Sequence, residues 1–247
     1  MFYVDWTYII LVLPFVIFSL IASARVNSSF ERYSKVYSRR GMTAADAARE
    51  VLRQNGVYDV RIEHVPGKLS DHYDPRTNVI RLSDSVINST SVAAIGVACH
   101  EAGHAVQYAE GYGPIKLRAA LIPITNIGSK LAMPLILVGI GLSYLGETFS
   151  YIAYAGVALF ALAVVFQLVT LPVEFNASRR ALAAISDSGI LAPDEIDPAR
   201  KTLSAAAMTY VAALAVNASA RGARKSEHFW AQRSKKSSRR AARRFFS

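Results

Sequence analysis

The stretch "VACHEAGHAVQYAEGY", Val97 to Tyr112, decides how the rest of the chain is read. It holds two of the five histidines, four residues apart, with Glu101 beside the first. Small and apolar residues surround them, and Thr90 or Ser91 offers a cap just upstream. The pattern predicts a helix from about Ser91 to Ala109, closed by Gly111. On a helix, residues four apart share a face, about one turn from each other. His100 and His104 can therefore present two imidazole nitrogens to one metal ion. Glu101 is rotated by about 100° and can stand beside the metal without ligating it. A general base acting on a metal-bound water belongs there. Chance produces a His-Glu-x-x-His match in on the order of 1 in 100 chains of this size, and the helical setting makes accident a poorer account. Gly103 allows a close approach over this turn, and Ala98, Ala102 and Ala105 let neighbouring helices pack tightly. Cys99 points off the metal face and reads as a packing residue. As the single cysteine it forms no internal disulfide.

A catalytic zinc takes three protein ligands and keeps one position for water. The remaining histidines are poor candidates: His228 lies in a basic tail, and His64 and His72 fall in a strand region where exposed or structural roles suffice. Among the acids, Glu174 in "LPVEFNASRRALAAI" sits where a long apolar run ends. An acid at membrane depth needs a partner. That partner is either the metal or the neighbouring Arg179 or Arg180, and the bare residues leave both open.

Composition points to a membrane. The chain is 52% hydrophobic yet carries 28 Lys+Arg against 18 Asp+Glu, a net +10. Ten Lys/Arg and one acid lie between Arg221 and Arg244, a net +9, which leaves the remainder at +1. Such a run reads as a solvated tail docking anionic lipid, and no specific nucleic acid is expected. Thr7–Ala24 is uncharged and long enough to cross a hydrocarbon core. With no basic residues before it and no clear cleavage site after it, it reads as a retained anchor. Leu131–Gly146, extended backwards, and Phe149–Val173 form a second and third span, parted only by Glu147 and Thr148 and hence a tight hairpin. Leu203–Ala220 fits either a span packed by small residues or a helix lying against the membrane. Basic residues set orientation. Arg25, Arg32, Lys35, Arg39 and Arg40 follow the first span, and Arg179 and Arg180 follow the third. Both flanks and the tail are expected in the cytoplasm, which favours three spans and a non-crossing Leu203–Ala220.

Between the first and second spans lies a small α+β module. Thr43–Asn55 reads as a helix stopped at Gly56. "VYDVRIEHV" alternates as a strand, "DPRTN" turns the chain, and Asn78–Leu82 offers a second extended run. The expected fold is a mainly α membrane protein with this module as a cytoplasmic metallopeptidase unit. Its expected parts are an anchor (1–25), the module with its zinc helix (26–118), a transmembrane hairpin (119–173), a ligand helix with a membrane-associated helix (174–220) and the basic tail (221–247).

The stretches "GMTAADAAREVL", "DHYDPRTNVIRLS", "AAIGVACHEAGHAVQYAEGY", "LRAALIP" and "LPVEFNASRRAL" resemble the YugP-like neutral zinc metallopeptidases of bacterial membranes, from about Val26 to Ala220. The resemblance implies His100 and His104 as zinc ligands, Glu101 as the catalytic residue and Glu174 as the third ligand. The last also rests on a looser likeness to HtpX-like and prenyl-protein proteases, which usually carry an Asp four residues after that Glu, where this chain has Ser178. The implied activity is endopeptidase cleavage of a protein or peptide substrate at the bacterial plasma membrane, with one zinc ion per chain and the site facing the cytoplasm. On this reading "NVIRLS" is an edge strand that pairs with substrate backbone. Asp71, His72, Asp74 and Arg76 either order the site or build a turn, and Arg179 and Arg180 either steady the oxyanion or mark the inner membrane face. Two other readings are an intramembrane protease and a membrane-tethered zinc-binding adaptor without catalysis. Glu101, Gln107 and Glu110 on the histidine helix count against the first, and the intact Glu101 against the second.

Overall fold

The structure, a computed structural model, describes residues 6–142, 145–146, 149–209 and 211. Five helices, α1 (Trp6–Tyr33), α2 (Ala44–Gln54), α3 (Val92–Ala109), α4 (Gly113–Leu142) and α5 (Ser150–Asp187), carry the chain, with β1 (Arg61–Val65), β2 (His72–Asp74) and β3 (Val79–Ser83) between α2 and α3. A further helix, α6, covers residues 196–209. The basic tail and most of Leu203–Ala220 beyond α6 lie outside the described residues, as do Glu147 and Thr148.

Local chemistry places the helix ends. The Thr43 hydroxyl accepts from the Asp46 amide at 3.2 Å, and Gly56 takes φ +69° beyond the end of α2. Ser91 caps α3 by accepting from the Ala94 amide at 3.3 Å. The Val92 amide, free at a helix start, is taken by the Val36 carbonyl at 2.8 Å. Gly111, at φ +71°, lets the chain leave α3. Helix α3 is apolar almost all round, and a helix of that kind is stable only when enclosed. Here α2, α5 and the sheet enclose it, and Ile95, Ala98, Cys99, Ala102 and Val106 are buried in the core. Cys99 is thus a packing residue, its thiol pKa pushed up by burial.

The three-stranded sheet has the order β1-β3-β2, with β1 parallel and β2 antiparallel to β3. This corrects the expectation for "NVIRLS": that run forms the central strand, and β1 and β2 are the edges. The reason is burial on both faces, since Val79, Ile80, Leu82 and Ser83 are all buried. The first strand is also shorter than its alternating pattern suggested, and β2 is an added strand. "DPRTN" turns as expected. The Asp74 carboxylate accepts from the Arg76 amide at 3.0 Å and the Thr77 hydroxyl at 2.8 Å, and Asn78 adopts φ +54°.

α4 and α5 pack antiparallel along their length. Their close contacts pair Gly128 with Leu159, Gly156 with Ala132 and Gly139 with Ala153. At 38 residues α5 is about 57 Å long at ~1.5 Å per residue, well beyond the ~30 Å of a hydrocarbon core. It therefore does two jobs. Its N-terminal part exposes Tyr151, Tyr154, Val165 and Leu168. Its C-terminal part buries Val173, Ala177, Ala181 and Ile185, a four-residue stripe, beside α3. The expected boundary at Val173 is no break in the helix, and Pro172 sits inside it. The α3–α5 contact is closest at Gly103, where a Cβ would stand 2.8 Å from the Ala177 carbonyl oxygen. Any side chain there would push the two helices apart.

Candidate metal centre

Four polar residues, His100, Glu101, His104 and Gln107, interrupt the apolar surface of α3. Helix α5 brings Glu174 to meet the histidines. Its Oε2 lies 3.1 Å from His100 Nε2 and 3.6 Å from His104 Nε2. The imidazole rings are 4.7 Å apart and nearly perpendicular. Among the described residues, His100, His104 and Glu174 each bring one ligand atom within 4.8 Å of the others. Zn–N and Zn–O bonds of ~2.0–2.2 Å in tetrahedral geometry separate neighbouring donors by about 3.3 Å, and the two observed separations bracket that value.

The hydrogen bonds behind the donors give a second test of fit. Gln107 is fully buried, and its Nε2 donates to the Val173 carbonyl at 3.0 Å and to Asn176 Oδ1 at 2.8 Å. Asn176 Oδ1 also accepts from Arg180 Nε at 2.8 Å, so that atom is an oxygen. Both amide protons of Gln107 are thereby used, and its Oε1 faces His104 Nδ1 at 3.0 Å. Nδ1 must carry the proton. Nε2 is thereby turned towards the Glu174 oxygen, where a metal ion or a proton would join the two. A metal-ligating histidine is held in this way by a partner on its other nitrogen. His100 Nδ1 has the Ser178 hydroxyl at 3.1 Å. A hydroxyl thus reaches the histidine from the position where the looser relatives carry an acid.

The second Glu174 oxygen, Oε1, pairs with Arg118 at 3.0 Å. The cation at this carboxylate is therefore Arg118 of α4. Arg180 instead pairs with Glu110 at 2.7 Å, and Arg179 is exposed. Sequence reasoning passed over Arg118; its available signal was a second charge, two residues after Lys116, at the start of a long apolar helix.

Glu101 is buried, and its Oε2 accepts from the Tyr73 amide at 2.9 Å. Burial pushes its carboxyl pKa up, opposed by the charge of nearby His100. This contact pins the outer edge of β2 beside Glu101. The rest of "DHYDPR" builds that edge. Asp71 accepts from the Ser83 amide at 2.7 Å and its hydroxyl at 3.1 Å, fastening β2 to β3. His72 Nδ1 faces the Ser70 carbonyl at 2.8 Å, and the ring is exposed. Arg76 is exposed at the turn and His64 pairs with Asp84, both away from the histidine pair.

A family model described as "Putative neutral zinc metallopeptidase" matches residues 8–220. The chain belongs to that family. The match begins inside α1, so the first helix belongs to the zinc metallopeptidase pattern too, beyond the Val26 start of the sequence resemblance. It ends before the basic tail. The "Putative membrane protease YugP" of Bacillus subtilis (strain 168) is 47% identical over 196 residues, covering 79% of this chain and 85% of that protein. No solved structure matches the chain. Zinc and peptidase chemistry are thus the family's description, and α4 and the Tyr151–Asp187 part of α5 are long and apolar enough to cross a membrane.

Proposed function

We propose that the chain is a membrane-anchored zinc endopeptidase whose site lies at the cytoplasmic face of a bacterial plasma membrane. The observation that carries this reading is the convergence of His100, His104 and Glu174 with Glu101 alongside, against an open strand edge. His100 Nε2, His104 Nε2 and Glu174 Oε2 would hold one zinc ion. When bound, zinc supplies a coordinated water of lowered pKa and a Lewis-acid contact for the scissile carbonyl. Glu101 Oε2 is held by the Tyr73 amide, which leaves Oε1 to take the water's proton and pass it to the leaving amine. In an antiparallel pair a residue's N–H and C=O point to the same side. The Tyr73 carbonyl therefore lies on the same edge as its amide, available to an extended substrate backbone.

Zinc-dependent cleavage tests the reading. Purified protein should cut unfolded casein, lose the activity to a zinc chelator and regain it with added zinc. Chelator-resistant cleavage, or none after zinc is restored, would count against it. Gln107→Leu should keep the fold's volume but release His104, weakening zinc binding by about 10- to 100-fold. A competition titration against a fluorescent chelator measures this, and unchanged affinity would remove Gln107 from its orienting role.

The membrane placement rests on the basic flanks together with apolar side chains exposed along α4, among them Ile124, Ile127 and Leu137. In this arrangement α1, α4 and α5 cross, residues 26–118 face the cytoplasm, and the tail docks on anionic lipid at about 1 kcal/mol per basic residue near the surface. Reporter fusions after Lys68 and Ser247 should both read inside. An outside signal at Ser247 alone would mean that the chain crosses once more after α6.

A further inference from the structure

The His100–Glu174 cluster opens into a cavity of about 350 Å³, near the lower end of the roughly 300–1,000 Å³ usual for ligand sites. Three helices wall it away from the sheet. Val26 and Phe30 come from α1, Ile115 and Ile122 from α4, and Leu203 and Ala206 from α6. Arg118 pairs with Glu174 and the Asp71 carboxylate accepts from Ser83, so these two charges are met within the wall, and a charged guest lying against the apolar helices would carry its desolvation cost. From Ile115 to Ile122 the cavity follows α4 for about 10 Å at ~1.5 Å per residue, from the level of the metal cluster towards the apolar half of that helix. Both α1 and α4 continue past the cavity with exposed apolar side chains, Ile17, Leu20 and Ile21 on one and Ile124 and Ile127 on the other.

Resting on the endopeptidase reading above, we propose that this cavity is the subsite for a large apolar side chain next to the scissile bond. The substrate is a segment of another membrane protein at the point where it leaves the bilayer. Its apolar side chain passes from lipid along α1 and α4 into the cavity without crossing water. Its backbone lies along the β2 edge, where Glu101 is held.

The test uses full-length, zinc-loaded protein in lipid nanodiscs. Quenched fluorescent peptides carry Phe, Leu, Ala, Asp or Lys beside the cleaved bond, each made free and behind a hydrophobic membrane anchor. Phe and Leu should exceed Ala by about 10- to 100-fold in kcat/KM, the scale of burying one such side chain. Asp and Lys should fall below Ala, and anchored peptides should outrun free ones at equal bulk concentration. Ala119→Phe and Ala206→Phe fill the cavity from two helices. They should bring the Phe-to-Ala ratio towards one while zinc content stays at the wild-type level. A preference for small or charged residues, or filled variants that keep the wild-type ratio, overturns the subsite. Equal cleavage of free and anchored peptides overturns delivery from the bilayer. Binding of the same peptides to zinc-loaded Glu101→Gln protein, followed by fluorescence anisotropy, reads the ratio without cleavage. Absent zinc-dependent turnover would refute the endopeptidase reading, whereas a Phe-to-Ala binding ratio near one would refute the subsite.

Discussion

Glu174→Ala protein should purify with little zinc, well below the one ion per chain expected of the unaltered chain, and should show no measurable peptide cleavage. The change removes the carboxylate whose Oε2 stands within 3.6 Å of both histidine Nε2 atoms. It also strips Arg118 of its partner, leaving a cation beside two imidazoles where a third donor is needed. Glu174→Asp withdraws the carboxylate by one C–C bond, about 1.5 Å. Helix α5 cannot follow, because Ala177 is already against Gly103, so the shorter acid should also bind zinc more weakly. Metal analysis of the purified proteins decides the matter. Full occupancy in Glu174→Ala would exclude Glu174 as a ligand. Glu195, the buried acid further along, is engaged elsewhere. It accepts from the Arg39 and Ala192 amides at 2.9 and 2.8 Å and ties the segment before α6 to the one after α1.

Glu101→Gln should do the opposite, with zinc near one per chain and cleavage down by about 10²- to 10⁴-fold or more. Glutamine has nearly the same volume, and its carbonyl oxygen can still accept from the Tyr73 amide, so the β2 edge stays in place. Burial raises the Glu101 pKa, which means the charged form carries a desolvation cost in the fold. The neutral amide avoids that cost, and the melting temperature should not fall. A Glu101→Gln protein that cleaves casein at the wild-type rate would show that the proton is taken by another group. Zinc loss together with activity loss would show that Glu101 supports the ion itself. Measured side by side, the two substitutions separate base from ligand.

Much of this centre was legible in the chain because its chemistry is local. His100, Glu101 and His104 lie within one turn, and helix periodicity alone determines which side chains share a face. The caps at Thr43 and Ser91 and the stops at Gly56 and Gly111 were equally readable, since a cap is a bond between near neighbours. The same holds for the DPRTN turn and for the apolar helices, whose length and composition need no tertiary information. For Glu174, the apolar run before it marked an unusual acid, while the residues alone could not choose between a metal and an arginine.

Which groups meet the Glu174 carboxylate, and the rest of the site, belonged to the tertiary structure. Arg118 and Glu174 are 56 positions apart in sequence (174 − 118), and the α4–α5 hairpin brings them within 3.0 Å. Sheet order was equally hidden. Alternation and apolar content show that a segment is extended, but strand pairing is decided by which faces other elements cover, and β3 became central because both of its faces are buried. The role of Gln107 depends on an amide flip set by the Val173 carbonyl and Asn176, 66 and 69 residues away. The sequence by itself determined the histidine pair, its neighbouring acid and the apolar helices, because those rest on spacing and composition. Only the tertiary structure decided what stands around them, because a hydrogen bond or an ion pair between distant segments exists only once packing has brought those segments together.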